Sequence, residues 1–146
     1  MSEPVRTTRE TIEAVLRTII EGTRDDVADL YAEDVVITSP FVAEELRVSR
    51  GNEALRTRMK SFAQYLDYSE VKNVTIHETT DPQVAIAEFT VAGRLVPTGE
   101  AFELASINVI RVVDGLIVES RDHSDGLTAA RLMESIQAAA ATAAGG

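Results

Sequence analysis

A few polar side chains in this sequence sit where they could move a proton or hold a substrate oxygen. Along the segment Ala101 to Val113, the residues of one parity are Phe102, Leu104, Ser106, Asn108, Ile110 and Val112. Successive side chains of a strand point to opposite faces, so these share one face. An apolar row interrupted by Ser106 and Asn108 has the make-up of a small-molecule pocket wall, greasy with few polar groups. The same pattern also fits a core asparagine that satisfies a backbone group. Asp122 lies on the next candidate strand with Leu116, Val118 and Ser120 on its parity. Desolvation among such neighbours raises a carboxyl's pKa, which suits a general acid or base. A salt bridge to Arg121, or an exposed strand end, is the other reading of Asp122. Ser39 closes the β-branched run Val35-Val36-Ile37-Thr38 just before Pro40. Its hydroxyl could hold a water or a substrate oxygen, or it could stabilise a turn.

Other chemistries find little support. His77 and His123 are the only histidines, and they form no HxH or HxxxH spacing, so no metal site is expected. The chain has no cysteine, which excludes disulfides, thiolate ligands and a cysteine nucleophile. No GxGxxG, GxxxxGK[ST] or GxSxG pattern occurs, which argues against nucleotide binding and a serine hydrolase elbow. The expected chemistry is therefore acid–base work without a cofactor. The net charge is −10, and the positive cluster from Arg47 to Lys60 is interrupted by Glu53, so nucleic acid is not an expected partner. No stretch approaches the roughly 18 apolar residues of a membrane span. The start, Met1 to Arg6, lacks an apolar signal core, and a cytoplasmic protein without a membrane partner is expected.

The elements that must position these groups are legible in outline. Thr7-Thr8-Arg9-Glu10 fits a capping box, and Ile12, Val15, Leu16, Ile19 and Ile20 follow at helical spacing up to Gly22. Thr23 and Asp26 form a second capping box, with Val27, Leu30 and Tyr31 as the buried side of a short helix. Val35 to Ser39 reads as a strand, and Phe41 to Arg50 as irregular. Gly51-Asn52 starts a third helix with Leu55, Met59, Phe62, Ala63 and Leu66 on one face. Four long strands follow, at 71–79, 84–96, 101–113 and 116–124, joined by turns at Asp81-Pro82, Pro97-Thr98-Gly99 and Asp114-Gly115. A last helix starts at Gly126 and carries Leu127, Ala130, Leu132, Met133 and Ile136. One domain over residues 1–137 is expected, then an Ala/Gly-rich tail over 138–146 that is frayed or disordered.

Helices followed by consecutive hairpins predict an α+β fold with the helices on one face of the sheet. Long strands curl, so the covered face becomes concave. Leu16, Ile37, Phe62, Phe89, Val91, Leu104 and Ser106 are the expected pocket walls. On the other face, Ile107, Val109 and Val113 are too apolar to be wholly solvated among Ala101, Glu103, Ala105 and Arg111. A homodimer through that outer face is the expected assembly.

Two stretches carry a resemblance to a known group of proteins. Leu30-Tyr31-Ala32-Glu33-Asp34-Val35-Val36 resembles the helix-to-strand junction of SnoaL-like and ketosteroid-isomerase-like proteins. The run from Val109 through Asp114-Gly115 to Arg121-Asp122-His123 resembles their last hairpin, and Pro97 to Asp122 resembles the limonene epoxide hydrolase branch. The resemblance spans residues 8–135 and points to the nuclear transport factor 2-like superfamily. It implies a cone-shaped barrel of a strongly curved mixed or antiparallel sheet wrapped around N-terminal helices. It also implies an isomerase, cyclase or epoxide-hydrolase-like enzyme acting on a small, largely apolar ligand. A binding or scaffold domain without turnover is the alternative, since one fold carries many chemistries.

Carried over residue by residue, the resemblance is selective. Asp122 matches one member of the epoxide hydrolases' Asp-Arg-Asp triad, and Phe89 and Val91 stand where the other two belong. An apolar pair cannot protonate an opening epoxide. The ketosteroid isomerases' base, tyrosine and protonated acid fall on Ser39, Val15 and Asn108. In SnoaL-type polyketide cyclases an acidic residue near Asp122 acts as acid or base, which this sequence permits.

Overall fold

At the start of the first helix, Thr7 Oγ1 accepts from the Glu10 backbone N–H at 3.1 Å, and Glu10 Oε1 accepts from the Thr7 N–H at 2.9 Å. Both bonds satisfy amides that a helix start leaves free. The computed structural model describes residues 4–145. Its helices are α1 (Thr8–Glu21), α2 (Arg24–Ala28), α3 (Asn52–Ala63) and α4 (Gly126–Gly145). Its strands are β1 (Tyr31–Thr38), β2 (Val48–Arg50), β3 (Leu66–Glu78), β4 (Val84–Leu95), β5 (Ala101–Val113) and β6 (Leu116–Ser124). A short 3-10 helix, Glu44–Leu46, precedes β2. No helix among the described residues is long and apolar enough to cross a membrane.

The strands form one mixed sheet in the order β2-β1-β6-β5-β4-β3, with β1 parallel to β6 and the other neighbours antiparallel. The sheet curls around the helices without closing, so β2 and β3 remain its edges and the cone is open. α1 crosses the concave side over β3, β4 and β5. It is fastened there by Thr8 Oγ1, which donates to Pro82 O at 2.6 Å, and by Arg9, which donates to Ile76 O at 3.0 Å. Its buried residues Ile12, Ala14, Val15 and Leu16 pack with Val35, Ile37, Leu55, Ala87, Ile110 and Ile117 in the main core. A second cluster joins Leu132 and Ile136 of α4 to Leu66, Leu95 and Phe102 at the other end of the long strands.

Several elements differ from the sequence expectation, most of them because of strand pairing. β1 begins at Tyr31, because Tyr31 pairs with Ile117 before an irregularity that ends at Val36. Tyr31 thus belongs to a strand, not to the buried side of the second helix. β3 begins at Leu66, which pairs with Leu95, although Leu66 also suits the apolar face of α3. β2 pairs with β1 inside the segment expected to be irregular. α4 runs on to Gly145 through the alanine-rich stretch, and alanine has the highest intrinsic helix propensity. In β6 the pairing shifts between Arg111 and Val112, so Ile117 rather than Leu116 or Val118 is the fully buried residue opposite Val112. Such a bulge reverses the alternation on one side of it. Asp114 (φ 52°) and Gly115 (φ 76°) form the predicted tight hairpin.

Gly93 shows how closely the strands approach. It faces inward between Tyr68 and Phe102, whose rings meet edge-on at 6.2 Å. A Cβ built on Gly93 would lie 2.2 Å from the Asp67 carbonyl oxygen. Backbone cannot yield as a side-chain tip can, so Gly93→Ala is expected to cost about 1–3 kcal/mol. Urea unfolding of the purified variant measures this, and an unchanged midpoint would contradict the close approach.

Candidate active site

The long strands bring the candidate polar residues together. Asn108 on β5 pairs directly with Asp122 on β6, and Ser106 pairs with Ser124. Directly opposed residues of an antiparallel pair share a face, so Asn108 and Asp122 point the same way. Ser120 Oγ donates to Asp122 Oδ1. Ser106 Oγ donates to Asn108 Oδ1 at 2.6 Å and lies 3.4 Å from Ser124 Oγ. These bonds occupy the amide oxygen and one carboxyl oxygen. Among the described residues, no hydrogen bond reaches Asn108 Nδ2 or Asp122 Oδ2. A donor and an acid oxygen therefore sit side by side with free valences.

Their surroundings are apolar on both sides. Along β5, Ile110 belongs to the main core, while Phe102 and Leu104 belong with the α4 cluster. Ser106 and Asn108 lie between the two. Asp122 keeps some accessible surface, yet burial is the largest influence on it and pushes its pKa up. The Ser120 hydrogen bond, and then the charges of Arg58 and His123, pull the other way without reversing the shift. Tyr31, which the sequence reading left out of the site, lies within the same field. Burial raises its phenol pKa, the Asp122 charge raises it further, and Arg58 opposes both. Its O–H therefore remains protonated at neutral pH.

Arg58 is the other participant that sequence reasoning missed. It is half-buried on α3, three residues after the core residue Leu55 and four before Phe62. It lines an open groove of about 570 Å³ between α3, the 3-10 helix and α4, together with Leu46, Phe62 and Met133. The available signal was its place in the Arg47 to Lys60 cluster, beside the apolar stripe of α3 rather than opposite it.

The remaining candidates divide. Phe62 lines the groove, and Leu104 packs with it against the α4 cluster. Phe89 pairs with Ser106 and Val91 with Leu104, so both face inward beside the polar pair. Leu16 and Ile37 are buried in the main core. Ser39 follows β1 one residue after the pairing of Thr38 with Arg121, level with Asp122. Its backbone N–H donates to Arg47 O at 2.7 Å, and its hydroxyl makes no hydrogen bond among the described residues. His123 lies on the opposite face, where Nδ1 is 3.2 Å from Ile107 O and the ring meets Phe41 edge-on. His77 lies beside Glu88, away from the site. Among the described residues, no group of three or more His, Cys, Asp or Glu side chains could hold a metal ion.

Comparison with known proteins agrees with this fold. The solved structure of a Bacillus subtilis protein provisionally named an isomerase superposes with a TM-score of 0.79 at 24% identity, over 87% of this chain and 92% of that one. A Pseudomonas putida KT2440 protein provisionally named a polyketide cyclase gives 0.72 at 17% identity, over 84% and 95%. At these identities the likeness establishes the fold. In sequence, the Bacillus subtilis protein YesE, itself uncharacterized, is 26% identical over 115 residues, which is 78% of each chain. The family model for the SnoaL-like domain matches residues 12–120, from the first core residue of α1 to the hydrogen-bond partner of Asp122, and the chain belongs to that family.

Proposed function

We propose that this protein is a cofactor-independent isomerase or cyclase acting on a small, largely apolar carbonyl compound, with Asp122 as its acid–base group. The observation that carries this reading is the raised, half-satisfied carboxyl of Asp122 opposite the free amide of Asn108. As a carboxylate, Asp122 would remove a proton from the carbon beside the substrate carbonyl. Asn108 Nδ2 would donate to the carbonyl oxygen as negative charge develops there. The proton, now on Asp122, would return to another carbon in an isomerisation. In a cyclisation the carbanion would attack a second carbonyl and the proton would go to the resulting alkoxide. A pKa moved towards neutrality allows both half-reactions. Ser39, level with Asp122, is a further candidate for the substrate oxygen. Phe89 and Val91 beside the pair carry no transferable proton, which favours this chemistry over epoxide opening. The same two residues favour a second reading, a domain that holds its ligand without turnover.

The two readings part in a proton-exchange assay, in which small cyclic ketones and enones are followed by NMR in D₂O. Catalysed exchange is expected for the wild type. Asp122→Asn should reduce it at least about a hundredfold, the usual lower bound for a positioned proton donor. Binding without exchange would support the ligand-holding domain.

The same carboxyl should leave a mark on stability. In the folded state its pKa lies above the unfolded value, so the unfolded chain binds fewer protons and stability falls as pH rises through this window. Asp122→Asn should therefore gain stability over the wild type at pH 8, with the gain shrinking at pH 4. Thermal melts at both values test this, and a variant less stable at pH 8 would contradict it.

We also propose that the outer sheet face pairs two copies. Ile107 is 47% exposed there, and Val109 pairs with Ile86 on the same face. Together they give an apolar centre with charged neighbours at Glu88, Glu103 and Arg111, the make-up of an interface. Light scattering at micromolar concentration should give a dimer, which Ile107→Lys with Val109→Glu converts to monomers. A monomeric wild type would refute the pairing.

A further inference from the structure

Arg58 acts on Asp122 only through its charge, and no step of the proposed proton transfer runs through it. Its neighbour Arg56 is fully engaged, with Nη2 at 2.8 Å from Asp29 Oδ1 and Nε at 3.3 Å from Glu53 Oε1. Arg58 has no ion pair and no hydrogen bond among the described residues, although it is half-buried. The chain has 24 acidic residues against 14 basic ones, so a shortage of carboxylates does not explain this. Glu53 lines the same groove but is already held by Arg56. A guanidinium that no side chain or carbonyl holds, at an apolar-walled groove, is open to a charge-assisted contact from an anionic ligand.

The groove suits such a ligand. Its volume of about 570 Å³ falls within the roughly 300–1,000 Å³ typical of small-molecule sites. Phe62, Met133 and Leu46 give it apolar walls, and Arg58 is its unengaged cation. Arg58 also lies close enough to Asp122 and Tyr31 for its charge to act on both. We propose that the groove binds a small apolar carboxylic acid, with its hydrocarbon part against Phe62 and Met133 and its carboxylate on Arg58. Arg58 is then the residue that selects the groove's ligand, and its charge reaches Asp122 from there. A planar guanidinium matches a carboxylate with two parallel N–H···O bonds, which an ammonium or an amide cannot do. The bound carboxylate also cancels the positive charge that holds Asp122 down, so ligand binding favours the protonated acid beside it.

This inference rests on the reading of Asp122 as the centre of a small-molecule site, and the experiment separates the two. Isothermal titration with 2-naphthoate and with its neutral analogue 2-naphthamide compares charge at constant shape. The wild type should bind the naphthoate at least about tenfold more tightly, the ratio expected from one charge-assisted contact. Arg58→Met should bring the two ligands within about threefold of each other, and Arg58→Lys should restore part of the difference. Arg131→Met, on the exposed side of α4, should leave the preference unchanged. In wild-type protein, naphthoate but not naphthamide should shift the Arg58 Nε–Hε resonance, a readout independent of how the variants fold. Equal binding of the two ligands, or a preference that survives Arg58→Met, overturns the inference. If catalysed exchange at Asp122 persists in that case, only the carboxylate assignment has failed. If neither ligand binds and no exchange occurs, both readings fall.

Discussion

The register of β5 on β6 is the constraint on which the site depends. It sets Asn108 against Asp122 and Ser106 against Ser124, all on the concave face. A slip of one residue would exchange the two faces of β6, turning Asp122 outward and His123 inward. The slip is opposed at the turn end of the hairpin. The Asp114-Gly115 turn fixes the start, and the shift after Arg111 places Ile117 against Val112 in the core. An ordinary structural device, burial of an isoleucine, thereby orients a carboxyl placed further along the same strand.

The chemistry follows from what surrounds that carboxyl. Two apolar clusters, one closed by α1 and the other by α4, leave a polar seam between them. Within the seam, burial outweighs the Ser120 hydrogen bond and the charges of Arg58 and His123 in setting the pKa of Asp122. The fold gives up stability at neutral pH to hold an ionisable group there, which is common at functional sites. The same burial moves the phenol of Tyr31 still further from ionisation, so a neutral donor stands in the field of the acid.

Much of this was legible in the sequence, and the exceptions are instructive. Strand alternation placed Asn108 and Ser106 correctly, because β5 runs its full length without a bulge on its β4 side. The same rule misassigned Leu116 and Val118, because a bulge in β6 cannot be read from composition. Tyr31 and Leu66 suit helix and strand alike, and pairing with Ile117 and Leu95 decides between them. Arg58 escaped notice because an arginine among other basic residues on an amphipathic helix ordinarily faces solvent. Only the packing of α3 against α2, β1 and β2, with α4 beyond, shows that it lines a groove. The capping box at Thr7 and the hairpin at Asp114-Gly115 were readable because each rests on local backbone chemistry alone.

The proposed chemistry depends on the protonation of Asp122. Carboxyl carbon NMR of the wild-type protein, titrated with pH and assigned by comparison with Asp122→Asn, measures it directly. The predicted result is a midpoint well above the model-peptide value of about 3.9. A midpoint at or below that value would mean that hydrogen bonding and nearby cations, not burial, govern the carboxyl, and would contradict its role as the acid–base group.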